Sequence, residues 1–346
     1  MRRFGYMIMT LMMVVLVLGA CQRRPFAENR SKLTIALNID TDIVNHTMDE
    51  LPENVRVDLY DPQTRALVYT DYIGPTGGVV HPAPGKYDML IYSIGTESTQ
   101  IHNEHDYNAI EAYTNEVPAH IKSQLSQFMA MRAKAARERF AGLTVKGDAT
   151  DEQTKDPVQY TDEPVVNQPD HIFVGRHDQL HIPVSYEGEP IDEVYVEVDA
   201  HTLVETWQVE IRNVDGAEWI SRTVALASSQ SGSVHIGPNM ASDKVVSVLF
   251  DMKVEDREDG GKCLKGKFNT FGLHPDRENE VNMDISVMNM SGGEQTFHFD
   301  ITDQFENNPQ RYILIQEPIE VEKSKVGGGF QPEVDDWDDI HTDIIL

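Results

Sequence analysis

Cysteine is nearly absent from this chain: among 346 residues there are two, Cys21 and Cys263. A disulfide framework is therefore excluded, and stability has to come from burial. Basic residues are also scarce. Twenty-nine Lys and Arg face 57 Asp and Glu, for a formal charge of −28. Such a chain repels nucleic acid and anionic lipid headgroups at long range, which leaves protein, glycan or cation as partner classes. Catalytic signatures are missing too: there is no Gly-x-Ser-x-Gly, no phosphate-cradling glycine loop and no His-Glu-x-x-His, and no cofactor is expected. One long apolar run occurs, at the N-terminus, and it is shorter than the ~20 residues of a comfortable membrane span. No repeat with a period of about 20 to 50 residues is visible.

That apolar run is the most informative stretch. It extends from Tyr6 to Leu18 behind Met1-Arg2-Arg3, and it ends in Leu18-Gly19-Ala20-Cys21. A charged start, an apolar centre and small residues before a cleavage point make a secretory signal. The cysteine after the cut resembles the bacterial lipoprotein box, which implies cleavage between Ala20 and Cys21 and a diacylglycerol, with palmitate-type chains, on the Cys21 thiol. Removing 20 residues leaves 326, and losing Arg2 and Arg3 takes the charge from −28 to −30. With Cys21 acylated, Cys263 stands alone.

Beyond Cys21 the segment to Ser31 is short, polar and basic, and reads as a tether. Strict apolar alternation over 33–39 predicts a strand. Val55–Tyr60 and Ala66–Ile73, joined by Asp61-Pro62-Gln63-Thr64, predict a hairpin, and Gly74 to Gly78 reads as a break. Pro84-Gly85 feeds an alternating strand that carries Tyr87, Met89 and Ile91. Residues 118–140 switch to helical spacing: Ile121, Leu125, Phe128 and Ala135–Ala136 fall near one face, with Pro118 before and Gly142 after. Its basic residues suit pairing with the acidic remainder. After a patternless stretch from Lys146 to Gln168, two short strands over 172–175 and 180–184 finish a first unit. Strands then follow closely from Val194 to Val321 with turn signals between them, as an all-β sandwich requires.

The expected organisation is a signal peptide over 1–20, a lipid-anchored tether over 21–31, a first β-sandwich over 32–185 with an inserted helix near 118–140, a second over 186–322, and a Gly-hinged acidic tail over 323–346. In the tail Gly327-Gly328-Gly329 gives freedom of movement, and Phe330, Val334, Trp337 and Ile340 are apolar anchors in a polar segment. Those four are candidate strand-donor residues, because strand addition takes affinity from backbone hydrogen bonds and specificity from side-chain pockets. The same segment can instead fold back on the second sandwich.

Other clusters carry less. His102-Asn103-Glu104-His105-Asp106 gathers two imidazoles and two acids, but His-x-x-His without two further placed ligands is a weak metal signal, and no metal is expected there. Asp335, Asp336, Asp338 and Asp339 lack a calcium-loop spacing. Cys263 sits in a strand-like stretch as a buried, inert thiol. His171, His177 and His181 are expected on exposed faces. Trp207, Trp219 and Trp337 are sugar-stacking candidates if exposed, which keeps a glycan- or nutrient-binding role as the alternative.

Several stretches together carry a family resemblance: the lipoprotein box, APGKYDMLIYSIG at 83–95, HDYNAIEAYTNEVP at 105–118, DHIFVG at 170–175, GKFNTFG at 266–272, FDITDQF at 299–305 and GGGFQPEVDDWDD at 327–339. The chain resembles fimbrillin-like surface lipoproteins of the Bacteroides group, on a branch near the minor-fimbrium anchor subunits. The resemblance implies two tandem transthyretin-like or Ig-like β-sandwiches, a non-enzymatic role in anchoring or building a surface assembly, attachment to the outer membrane through the lipid, and a fimbrial or other surface subunit as partner. Surface-displayed members commonly carry acids after the lipid cysteine. Here Gln22-Arg23-Arg24 follows, which leaves open the membrane face while fitting outer-membrane retention.

Overall fold

A computed structural model describes residues 27–28, 31–48, 50–141, 162–186, 192–275, 281–305 and 307–323. The signal segment, Ala20, Cys21, Phe330, Val334, Trp337 and Ile340 lie outside the described residues.

Two large sheets dominate. The first has seven strands in the spatial order Leu67–Ile73, Asn54–Tyr60, Gly85–Ile94, Phe173–Ile182, Glu193–Thr202, Lys32–Ile39 and Gly77–Val80. Period-2 alternation sends one face inward, so Leu33, Ile35, Val57, Leu59, Met89, Ile91, Phe173, Val196 and Val198 form a single core. The two outermost strands are consecutive in the chain. A tight turn brings them together, with the Gly77 N–H donating to the Gly74 carbonyl at 3.1 Å and a bridge between the same two residues. That turn joins the two outer strands at one end, while Leu67–Ile73 is laddered to Asn54–Tyr60 and Gly77–Val80 to Lys32–Ile39. Glycine is required at 77: φ is 113°, and a Cβ would stand 2.1 Å from the Ile35 carbonyl oxygen.

The second sheet has eight strands. Seven run in the order Glu294–Asp300, Asn282–Asn289, Ile220–Ser231, Val245–Asp256, Lys262–Thr270, Glu205–Ile211 and Tyr312–Ile315, and Val165–Val166 adds to Val245–Asp256. Val209, Ala225, Phe250, Phe268, Ile285 and Val287 fill its inner face. Phe250 stacks on Phe268 at 4.8 Å between ring centroids. A smaller four-stranded sheet joins the halves: Met240–Ala241, Ser233–His235, Glu111–Thr114 and Thr99–His102. Beneath it Tyr60, Leu90, Tyr92, Ile110, Val174, Val204, Val234 and Phe271 make a shared core.

The all-β architecture with two sandwich-like units matches expectation, and three parts differ. Glu193–Thr202, expected to open the second unit, lies in the first sheet, parallel to Lys32–Ile39 with Val196 opposite Ile35. Its buried positions match the first core, and a parallel neighbour more than 150 residues away leaves no local turn signal. Gly77–Val80, read as a break, is a strand. The two short strands expected over 172–184 are one strand, Phe173–Ile182, with its register interrupted between His177 and Leu180.

The expected helix forms as α1 (Ala119–Gln124) and α2 (Ser126–Ala141). In sequence it belongs to the first half. Its buried residues Leu125 and Phe128, however, pack with Val224, Leu226 and Leu249 on the outer face of the second sheet. Arg132, one turn beyond Phe128, is fully buried and pairs through Nε with Asp284 Oδ2 at 2.5 Å. The basic helix thus does meet an acid of the remainder, inside rather than on the surface.

Candidate anchoring end and assembly edge

The register of the first sheet sets the direction of the molecule. Lys32 starts one strand beside Glu193, the start of its parallel neighbour, while Ile182 and Gly85 end at the same side. Ala27–Glu28 pairs there with Ser185–Tyr186. The Ser31 hydroxyl donates to the Pro82 carbonyl, and His81 Nδ1 lies 2.6 Å from the Ser31 carbonyl. Ala27, Glu28 and Ser31 are therefore fastened to this end. Thr202 and Ile39 mark the opposite end, and from it the chain passes into the second half. The loop after Ile39 clamps that passage: Asn45 Nδ2 donates to the carbonyls of Gln310 and Arg311, both at 2.9 Å, and Lys267 Nζ donates to the Asn45 carbonyl at 3.0 Å. At the same junction His171 lies between Thr202 Oγ1 at 2.8 Å and Thr206 Oγ1 at 3.0 Å, and burial pushes its pKa down to about 4.

At the far side the second sheet ends in Glu294–Asp300, which pairs along one side only among the described residues. The other terminal strand, Tyr312–Ile315, is covered by the short helix Thr302–Phe305, whose Gln304 Oε1 accepts from the Leu314 N–H at 2.7 Å. The last described residues run beside the open strand. The Glu322 N–H donates to Gln295 Oε1 at 2.8 Å, and Gln295 Nε2 donates to the Glu320 carbonyl at 3.2 Å. Glu322 thus lies next to Gln295, near the start of the strand that pairs on one side.

Groups with catalytic potential are spent on structure. Asp58 is fully buried and accepts from Thr70 Oγ1 at 2.6 Å, Tyr92 Oη at 2.8 Å and Arg56 Nε at 2.9 Å. Burial, reinforced by Asp58, raises the Tyr92 pKa. Glu163 Oε2 accepts from Ser247 Oγ at 2.8 Å and from the Ser229 N–H at 3.0 Å, and burial pushes this carboxyl up to about 7. The 102–106 cluster diverges: His102 Nε2 meets Glu111 at 2.8 Å, Glu104 meets Arg56 at 3.2 Å, and Asp106 Oδ1 accepts from the Asn108 N–H. Among the described residues no His, Cys, Asp and Glu side chains group for a metal, and no helix is long and apolar enough to cross a membrane.

Cys263 is buried, and burial raises its thiol pKa. Trp207 is 3% exposed and stacks on Phe305 at 4.0 Å, while Trp219 is half-buried against the second core. Neither offers an open face to a sugar. His181 is exposed as expected, whereas His171 and His177 are half-buried. Sequence reasoning did not single out the Arg132–Asp284 pair or the edge Glu294–Asp300. The helical spacing from Phe128 to Arg132 was the available signal for the first, and nothing local marks an edge.

Two curled sheets in tandem, joined by a small bridging sheet, define a double β-sandwich protein. The chain belongs to the family described as "Domain of unknown function (DUF5119)", whose model matches residues 20–251. It is 33% identical over 112 residues to "Putative fimbrium anchoring subunit Fim4B" of Bacteroides ovatus. That match takes in 32% of this chain and 32% of the relative, so it spans about a third of the length of the curated protein. The fold is shared with a crystal structure from Bacteroides ovatus described as a "putative adhesin": the TM-score is 0.56 at 21% identity, over 89% of this chain and 99% of that one. The fimbrial anchor protein Mfa2 from Porphyromonas gingivalis is a looser likeness, with a TM-score of 0.44 at 12% identity, over 81% of this chain and 87% of that one.

Proposed function

We propose that this chain is a non-enzymatic lipoprotein of the outer membrane that anchors, or forms part of, a fimbrial surface assembly. The observation that carries this reading is the placement of the two ends of the described chain. Ala27–Glu28 is fastened at one end of the first sheet, while Glu322 lies beside Gln295 of the strand Glu294–Asp300. One end suits a lipid at Cys21. The other suits a protein subunit that exchanges a strand, with the anchors Phe330, Val334, Trp337 and Ile340 supplying pocket-filling side chains. The relative named as a fimbrium anchoring subunit supports the kind of assembly.

Acyl chains at Cys21 hold the protein firmly only when there are at least two, because one chain binds marginally. Replacing the cysteine removes all of them. In cell fractionation Cys21→Ala is expected to move the protein from the envelope to the soluble fraction. Retention of that variant in the envelope would overturn the anchoring reading.

A further inference from the structure

We propose that the turn Pro183–Tyr186 is a membrane-contact element, with the side chains of Val184 and Tyr186 seated in the headgroup layer of the bilayer that holds the chain. The inference rests on the lipid-anchor reading, and it says how the anchored molecule sits.

Three observations carry it. First, Val184 and Tyr186 are exposed apolar side chains, at 47% and 42%, flanking the buried Ser185. Alternation along an extended segment points both the same outward way. Second, they lie at the tethered end. Ala27 is the direct antiparallel partner of Tyr186, and only six peptide steps separate Ala27 from Cys21, a reach of at most about 20 Å. Val44, Leu51, Val68, Tyr72, Val79 and Tyr195 are also exposed in the first half, and Met240 and Met290 in the second, but Tyr186 is the one laddered directly to the segment that leads to Cys21. Third, the charge there is local and opposite to that of the whole. Residues 21–31 hold Arg23, Arg24 and Arg30 against Glu28, a net +2 by count, on a chain of −28. Basic residues beside a lipid anchor are drawn to headgroup phosphates, and tyrosine favours the interface because its ring is apolar and its hydroxyl wet. The described charges around the turn are mixed: Lys32 pairs with Glu193 at 2.9 Å, and Lys86, His181 and Asp192 are exposed. That leaves the apolar pair and the arginines to favour contact.

The test uses acylated full-length protein from the envelope, placed in phosphatidylethanolamine–phosphatidylglycerol vesicles that contain a headgroup spin-labelled lipid. An environment-sensitive fluorophore is attached at Tyr186→Cys, at Val184→Cys, which keeps Tyr186, and at Met290→Cys on the second half. The buried Cys263 leaves labelling selective. Spin-label quenching about threefold stronger at 184 and 186 than at 290 is expected. Equal quenching at all three positions overturns the inference. Mass measurement of Cys21 separates the two readings. If no lipid is found, the anchoring reading fails. The same variants with an N-terminal hexahistidine in place of residues 1–21, which removes the Cys21 thiol, are then held on nickel-chelating lipid, where the quenching ratio still decides the contact.

Discussion

The two halves treat their sheet edges differently. The first sheet joins its outermost strands through a tight turn at Gly74 and Gly77, each strand being laddered on its other side. The second is covered at Tyr312–Ile315 but leaves Glu294–Asp300 paired on one side among the described residues. An unpaired row of N–H and C=O groups is a template for another strand, so proteins that must stay monomeric cover or close it. The proposed function puts the tether on the first half and partners on the second. The helix arises from the first half, yet it packs on the outer face of the second sheet and reaches the strand Glu294–Asp300.

The largest expected effect comes from disturbing that packing. Arg132→Ala leaves Asp284 buried with His298 Nδ1 at 2.6 Å but without its guanidinium, and breaking a buried pair costs up to about 3–5 kcal/mol. Urea unfolding is expected to show this loss, with hydrogen exchange rising in α2 and Asn282–Asn289 while Lys32–Ile39 stays protected. Equal exchange gains in both halves would mean that the bridging sheet couples them into one unit.

Next comes Gly77→Ala, in the first half. The positive φ alone costs about 1–3 kcal/mol, and contact with the Ile35 carbonyl adds to it. A lower unfolding midpoint is expected, because the variant strains the turn that joins the two outer strands. An unchanged midpoint would show that the sheet does not depend on this turn.

The smallest effect is a matter of pH. Burial raises the Glu163 pKa from 4.5 to about 7, so the folded state holds the proton more tightly than the unfolded state. The group therefore costs stability as pH rises from about 4.5 through 7. Glu163→Gln is expected to stabilise by about 1–2 kcal/mol at pH 8 and to change little at pH 5. His171 works in the opposite direction. Its pKa is lowered to about 4, so its contribution is present above the usual 6.5 and is lost as pH falls towards 4. Junction and helix contacts should thus weaken at opposite ends of the pH range, and a Gln variant with an unchanged pH profile would remove Glu163 from the account.

Much of the fold was legible where structure is local. The hairpin over 54–73, the Pro-Gly strand start and the helical face of Leu125 and Phe128 all follow from period and turn chemistry. The illegible parts are non-local. The parallel pairing of Glu193–Thr202 with Lys32–Ile39 has no turn to announce it. The bridging sheet pairs Glu111–Thr114 with Ser233–His235 in strands of four and three residues, too short for periodicity to show. The candidate site divides in the same way. A lipoprotein box is a contiguous pattern and can be read directly, whereas an open edge exists only once every strand has found its neighbours.

The central claim, that the second half carries the assembly surface, is tested most directly by photo-crosslinking in intact cells. A crosslinking amino acid is placed at Asp300, at the end of the open strand, and in parallel at Val68 and Tyr72, which are exposed on the first sheet. The account predicts a covalent adduct with a separate protein chain from Asp300 and none from Val68 or Tyr72. Adducts from the first sheet alone, or an Asp300 adduct confined to residues 324–346 of its own chain, would contradict it.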